Sequence, residues 1–271
     1  MKYPRVLTIA GSDSGGGAGI QADIKTISAC QCYAASAITA VTVQNTLGVQ
    51  DVHPVPVGII EQQIRCVLDD IGADAIKLGM LHSADVVRCV AHLFNIYKPL
   101  NVVLDPVMVS TSGHALLDAQ AVEVLQRELL PLARIITPNL PEASLLLGHE
   151  LSLTDQLPDA ARQLGQAYQT SILLKGGHLE ADRLVDVLYN HETHQMVELP
   201  SVRIDTRNTH GTGCTLSSAL ASFLARGYQL TDAAIAAKKY INEAIIAGAR
   251  YEIGNGHGPV CHFYDLWKSQ R

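Results

Sequence analysis

Val6-Leu7-Thr8-Ile9-Ala10-Gly11-Ser12-Asp13-Ser14-Gly15-Gly16-Gly17-Ala18-Gly19-Ile20 is the stretch on which the fold turns. Val6 to Ala10 is a short apolar run stopped by Gly11, which reads as a buried strand. Gly11 to Gly19 is too rich in glycine to be helical, and it lets backbone approach a ligand closely. Ile20, Ile24 and Ile27 then recur at helical spacing, so the unit is strand, glycine loop, helix. The loop matches neither G-x-G-x-x-G nor G-x-x-x-x-G-K-[ST], which leaves a dinucleotide fold and a Walker-type kinase unsupported. Taken alone, it is a permissive turn.

The same alternation continues outward. Ala37 to Val43, Ala75 to Leu78, Val102 to Leu104, Ile135-Ile136 and Ile172 to Leu174 read as buried strands. Helices fit Ile59 to Ile71, a segment capped by Ser83, one from Asp118 to Leu130, Glu142 to Leu147 and Asp155 to Tyr168. Thr46 to Pro56, with its Gly48, Pro54 and Pro56, reads as an excursion or flap. Val185 to Tyr189 and Gln195 to Leu199 look like a late β-pair, and Ala-rich helices start near Gly213 and Thr231. Strand and helix in turn give an α/β fold: a mainly parallel sheet with right-handed crossovers, covered on both faces. No repeat, low-complexity tract or linker divides it, so residues 1–271 form one domain.

Composition narrows the function. Aromatics make up 5% of the chain and the net charge is −6, so there is little for base stacking or phosphate-backbone binding. A nucleic-acid partner is not expected, nor is a membrane, since charges, His or Gly interrupt every apolar run. Six cysteines without a CxxC pair fit reduced thiols rather than a zinc ribbon or a disulfide framework. The expected location is the cytoplasm, because Met1 to Arg5 leads into a strand with no signal-peptide pattern.

In open parallel sheets, ligands bind beyond the carboxyl ends of the strands. Gly11, Gln44, Asp105, Asn139 and Lys175 each follow an apolar strand, which puts them in one shared site. The sharpest motif is Asn208-Thr209-His210-Gly211-Thr212-Gly213-Cys214-Thr215, running into an apolar helix. Amides of Gly211, Thr212 and Gly213 at such a helix start bind an anion and suit a transferring phosphoryl group. Cys214 in the first turn would have its thiolate favoured by the helix dipole and could take a hydroxyl proton. A glycine turn before a buried structural cysteine would also account for that motif. Asp105 and Glu142, each beside a proline, could hold Mg²⁺ through carboxylate oxygens, though either alone is as well explained as a helix cap. Lys175, before Gly176-Gly177, could offer a point charge to phosphate, and a surface lysine at a strand end accounts for it equally well. Gln44 has an amide that can match the edge of an aminopyrimidine, though without the other motifs it is an ordinary polar strand-end residue, and Met80 and Val107 could wall a ring pocket, with core packing as the default for both. The scattered histidines make no zinc-ligand spacing.

These segments in this order resemble the hydroxymethylpyrimidine/phosphomethylpyrimidine kinase family. The resemblance runs through Ile9 to Asp23, Val43-Gln44-Asn45-Thr46, Lys77-Leu78-Gly79-Met80, Asp105-Pro106-Val107-Met108, Thr137 to Ala143, Lys175 to His178 and Asn208 to Cys214. It implies a ribokinase-like three-layer fold, usually a homodimer. It also implies ATP- and Mg²⁺-dependent phosphorylation of 4-amino-5-hydroxymethyl-2-methylpyrimidine and then of its monophosphate. By that resemblance Gln44 reads the pyrimidine, with Gly11, Asp23, Met80 and Val107 as neighbours. Gly211 to Cys214 form the anion hole, and Asp105, Asn139, Glu142 and Lys175 handle Mg-ATP. One departure is Thr111, where the family often has lysine. A pyridoxal or pyridoxine kinase on the same fold is the nearest alternative, and a non-catalytic pyrimidine-binding protein the alternative from another class.

Overall fold

Runs of Val, Ile, Leu and Ala too short for helices pair into one sheet, and the periodic segments between them cover it. The computed structural model describes residues 2–108, 119–151, 154–176 and 183–267. The first half contains β1 (Arg5–Asp13), α1 (Gly19–Ala29), β2 (Tyr33–Asn45), β3 (Gly48–Pro54), α2 (Val57–Cys66), β4 (Ala75–Leu78), α3 (Ala84–Tyr97) and β5 (Val102–Leu104). The second half contains α4 (Ala119–Val124), β6 (Ile135–Ile136), α5 (Leu140–Leu147), α6 (Leu157–Tyr168), β7 (Ser171–Leu174), β8 (Arg183–Asn190), β9 (Gln195–Val202), α7 (Thr212–Ala225) and α8 (Leu230–Gly248).

The nine strands lie in the order β3-β2-β1-β4-β5-β6-β7-β8-β9. The six from β2 to β7 are parallel, β3 and β8 run antiparallel to them at the two sides, and β9 pairs antiparallel with β8 and so returns to the direction of the six. Alternate strand residues serve opposite layers. Leu7, Ile9, Ile76, Leu78 and Leu104 pack with α2 to α6. Val6, Ala75, Val103, Ile135 and Leu173 pack with α1, α7 and α8. The chain leaves β1 toward β2 and returns to β4 on the other side of β1. Strand order therefore reverses between β1 and β4, which opens a crevice at their carboxyl ends.

The stretch from Thr46 to Pro56 differs from the expected excursion. Gly48 to Pro54 is an edge strand, pairing Val43 with Asp51 and Thr42 with Val52. Its single proline, Pro54 at the end of the strand, is tolerated because an edge leaves amides unpaired on one side. Register shifts fall at Ala10/Ser12 in β1 and at Val43/Gln44 in β2, where the chain is turned out of the ladder beside the crevice. Ser83 caps α3 as expected, its Oγ accepting from the Val86 amide at 3.4 Å. Helix α2 runs on through a π turn to Ile71, as its periodicity required. Asp118, Thr111 and Gly177-His178 lie outside the described residues.

Behind α7, the buried His262 imidazole has its Nε2 3.2 Å from Thr215 Oγ1. Burial, with Lys25 adding to it, pushes this imidazole from 6.5 down to about 4. A histidine held neutral in the fold but protonated when unfolded stabilises fully above about pH 6.5. That stabilisation is lost as pH falls toward 4. Urea unfolding should therefore show the advantage of the native chain over His262→Asn shrinking by about 2–3 kcal/mol between pH 7 and pH 4.5. Parallel pH curves for the two proteins would place the acid lability elsewhere.

Candidate active site

A cavity of about 110 Å³ occupies the β1/β4 crevice, lined among others by Gly11, Gln44, Lys77, Met80, Val107 and Cys214. A larger one of about 630 Å³ lies on the other side of the α7 N-terminus, lined by Asn139, Lys175, Thr212 and Gly213 together with β8, β9 and α8. Successive residues of one helix start thus face two chambers: Thr212 and Gly213 the larger, Cys214 the smaller.

The glycine loop is held in place by Asp13. Its Oδ1 accepts from the Gly15 amide at 2.8 Å, and its Oδ2 accepts from the amides of Gly17 at 3.0 Å and Ala18 at 2.8 Å. His210 Nε2 lies 2.9 Å from the same Oδ2 and 3.3 Å from Gln44 Nε2. Burial would raise the Asp13 carboxyl, but the bonds from His210 and these amides outweigh it and hold it below the usual carboxylate range. Thr42 Oγ1 donates to Gln44 Oε1 at 3.1 Å, which orients the amide at the cavity wall. Gly17 and Gly211 touch where the two loops meet, and Gly211 caps α7 at φ +78°. Only glycine fits there.

Lys77 is the most unexpected residue of the site. It is fully buried in the otherwise apolar strand Ala75-Ile76-Lys77-Leu78. Its Nζ lies 2.8 and 2.9 Å from the two oxygens of Asp23, which also accept from Thr8 Oγ1 at 2.6 Å and Ser218 Oγ at 2.7 Å. Burial pulls the ammonium down, yet the charges of Asp23, Cys214 and Asp105 outweigh it and raise it. Removing one member of such a pair leaves a buried uncompensated charge, which costs about 3–5 kcal/mol. This corrects the expectation for Asp23. It does not line the ring cavity; it sits below it, saturated by Lys77, Thr8 and Ser218.

Cys214 is where the motif placed it, but its ionisation runs against the dipole argument. Burial pushes the thiol up to about 11, with Asp23 and Asp105 adding, against the pull of Lys77 and an amide bond from Gly19. Desolvation of the thiolate outweighs the helix terminus. The thiol is the resting form.

At the larger chamber, Lys175 Nζ donates to Asp105 Oδ1 at 2.8 Å, and Thr137 Oγ1 donates to the same oxygen at 3.0 Å. Burial lowers the Lys175 ammonium, but Asp105 and Glu142 outweigh it and raise it, so this lysine carries its charge into the site. Asp105 Oδ2 lies toward Gly213, where an added methyl would come within 3.3 Å of it. Asn139 and Glu142 form a reciprocal capping box on α5: the Asn139 amide donates to Glu142 Oε2 at 2.8 Å and the Glu142 amide to Asn139 Oδ1 at 2.9 Å. The capping reading of Glu142 is therefore realised. Burial and the neighbouring Asp105 charge raise its carboxyl to about 7, although Lys175 opposes them. Two buried carboxylates in mutual repulsion form a hard-oxygen donor set that a divalent cation would relieve, so the residues fit Mg²⁺. Among the described residues, no group of three or more His, Cys, Asp and Glu is arranged to hold a metal by itself.

The sequence reading missed Lys77, Asp13 and His210 as site residues. A lysine in the middle of a strand buried on both faces was the available signal for the first of them.

The same architecture is found in phosphomethylpyrimidine kinase from Clostridium difficile 630, which is 43% identical with a TM-score of 0.79 and aligns over 90% of this chain and 100% of that one. It is also found in the pyridoxal kinase of Bacillus subtilis solved as an ADP complex, 37% identical with a TM-score of 0.87 over 96% and 98% of the two chains. Fold and site together define a ribokinase-like small-molecule kinase. Residues 13–261 match the family described as phosphomethylpyrimidine kinase. The hydroxymethylpyrimidine/phosphomethylpyrimidine kinase of Rhizobium meliloti is 48% identical over 97% of this chain and 98% of that protein. The chain belongs to the phosphomethylpyrimidine kinase family. Other curated relatives are bifunctional proteins of thiamine biosynthesis, and the chain spans about half their length.

Proposed function

We propose that the chain phosphorylates 4-amino-5-hydroxymethyl-2-methylpyrimidine and then its monophosphate, taking the phosphoryl group from Mg-ATP. The observation that carries this reading is the α7 N-terminus shared by two cavities. A nucleotide in the larger chamber and a ring in the smaller one would meet at the amides of Gly211, Thr212 and Gly213. Those amides stabilise the equatorial oxygens of the transferring group. Lys175 adds a fixed positive charge beside them. In the first step Cys214, which must first lose its own proton to reach the minor thiolate form, takes the hydroxymethyl proton, the freed oxygen forms a bond to the γ-phosphorus, and the bond to the bridging oxygen breaks to release ADP. In the second step the attacking oxygen belongs to the substrate's own phosphate and already carries charge.

Asp105 and Glu142 would hold Mg²⁺, which when bound neutralises phosphate charge. Relatives named for hydroxymethylpyrimidine and phosphomethylpyrimidine support the substrate, and the ADP complex of a neighbour supports the nucleotide. We further infer a cytoplasmic homodimer. Val41, Val43 and Leu47, exposed at 46%, 51% and 68% along the β2–β3 edge, supply apolar surface for a second copy. No helix among the described residues is long and apolar enough to cross a membrane.

The test is ADP release from purified protein with hydroxymethylpyrimidine, its monophosphate or pyridoxal, with and without Mg²⁺. Mg²⁺-dependent turnover of the first two above pyridoxal is expected. Pyridoxal turnover alone would overturn the substrate, and no turnover with any would favour a binding protein. In the same assay Gln44→Ala should cost the pyrimidines about 10- to 100-fold in kcat/KM, because a ring edge is left unpaired. Pyridoxal should change far less, and equal losses would remove Gln44 from ring recognition.

A further inference from the structure

We propose that Thr46 and Asn208 are positioning residues that, through residues 254–258, hold the ring-reading end of β2 against the N-terminus of α7. Residues 254–258 form neither helix nor strand, yet the segment is bonded on both sides. On one side the Gly256 amide donates to Thr46 Oγ1 at 3.2 Å and the His257 amide to the Thr46 carbonyl at 2.9 Å. On the other the His210 amide donates to the Gly258 carbonyl at 3.0 Å, and His210 pairs with Pro259 in a parallel bridge. The buried Asn208 secures the approach to the segment: its Nδ2 donates to the carbonyls of Gly248 at 2.8 Å and Tyr251 at 2.7 Å. Thr46 stands two residues after Gln44, and His210 immediately before Gly211. The segment therefore bridges the residue assigned to the ring and the amides assigned to the phosphoryl group.

The seating leaves no slack. A methyl added to Gly256 would run into the Thr46 carbonyl, and one added to Gly258 into the Asn208 carboxamide. Glycine permits that closeness of backbone, and a loop that only closed the chain would not require it. Thr46, Asn208 and residues 254–258 line neither cavity, so what they contribute to the reaction passes through Gln44 and α7. The direct contact between those two sides is long, 3.3 Å from Gln44 Nε2 to His210 Nε2, and does not by itself fix their separation. The amide bonds of the segment do. A shift of about 1 Å between ring and phosphoryl position can cost about 10²-fold in rate.

This role rests on the phosphoryl transfer proposed above, and two readouts keep the two apart. Thr46→Val keeps the side-chain shape and removes the acceptor of the Gly256 amide, whereas Thr46→Ser retains it. In ADP release with hydroxymethylpyrimidine, Thr46→Val and Asn208→Ala should each lower kcat about 10-fold, and Thr46→Ser should stay within about twofold of the native chain. Both residues act in series through one segment, so the double variant should lose little more than either single one. Independent damage to folding would instead multiply the losses. Multiplied losses, single variants within about twofold of native, or a serine variant as slow as the valine would overturn the proposal. Hydrogen exchange of the intact chain, followed by mass spectrometry, needs no turnover. Peptides covering residues 211–216 should exchange about fivefold faster in Thr46→Val than in the native chain, while those of α3, on the other face of the sheet, should not. Unchanged exchange at residues 211–216 would overturn the proposal whatever the rates. Faster exchange there, in a protein whose native form phosphorylates nothing, would sustain the positioning and remove the phosphoryl-transfer reading. If Asn208→Ala does not fold, Thr46→Val and its serine counterpart still decide.

Discussion

Cys214→Ala should slow phosphorylation of hydroxymethylpyrimidine by about two to four orders of magnitude, the range for losing a general base. The loss should fall on kcat rather than KM, because the thiol contributes one small face of a cavity also walled by Gly11, Gln44, Met80 and Val107. Two further features distinguish a lost base from a damaged pocket. The native rate should climb with pH toward about 11, where burial places the thiol, and the variant should lack that limb. The second phosphorylation should suffer much less. Its nucleophile is a phosphate oxygen whose proton is already gone at neutral pH, with a second pKa of about 6. ADP release measured separately with the alcohol and with the monophosphate provides the comparison. Near-native turnover of the alcohol would remove Cys214 from proton transfer, and equal losses on both substrates would make its role one of shape.

The difference between what the residues announced and what they concealed follows from the range of the interactions. Ala75–Leu78, Val102–Leu104 and Ile135–Ile136 were legible to the residue because a strand covered on both faces needs an unbroken apolar run, and chain polarity ends it sharply. Gln44, Met80, Val107, Asp105, Asn139 and Lys175 were legible because a parallel sheet gathers its strand ends, whatever their separation in sequence. The hairpin strand Gly48–Pro54 was not, since its terminal proline and its glycine signal a break everywhere except on an edge. Asp23 was assigned to the pocket from its motif. Its place on α1 beside Ile20 and Ile27 instead turns it into the layer below, toward a lysine 54 positions away. The His210–Asp13 contact joins residues 197 apart and leaves no periodic trace. The ionisation of Cys214 was misjudged for a different reason. A helix terminus can be read from sequence, whereas the degree of desolvation depends on every element that closes over the sulfur.

Gly211→Ala should reduce turnover by about 10²–10³ on both pyrimidine substrates, the cost of displacing donors from a transferring anion. Gly211 sits at φ +78°, and a methyl there would run into the carbonyl of Gly17 and come within 3.2 Å of Ala18 Cα. Left-handed backbone costs an L-residue about 1–2 kcal/mol by itself. The collision is worse, because neither backbone can yield without separating the glycine loop from the α7 N-terminus. Separation would draw His210 from Asp13, 2.9 Å away, and swing the amides of Thr212 and Gly213 off the phosphoryl position. Gly227→Ala supplies the control: its φ is +89°, nothing lies within 4 Å of the added methyl, and it follows the far end of α7. That variant should lose about 1 kcal/mol of stability in urea and keep its turnover. Gly211→Ala should lose both. Its equal effect on alcohol and monophosphate should contrast with the selective effect of Cys214→Ala, because the amides serve the group transferred in both steps and the thiol serves a proton present only in the first. If Gly211→Ala retains turnover within about threefold, as a variant with its donors in place would, the two loops need not close for phosphoryl transfer. The anion-binding role of the α7 N-terminus would fall with that result.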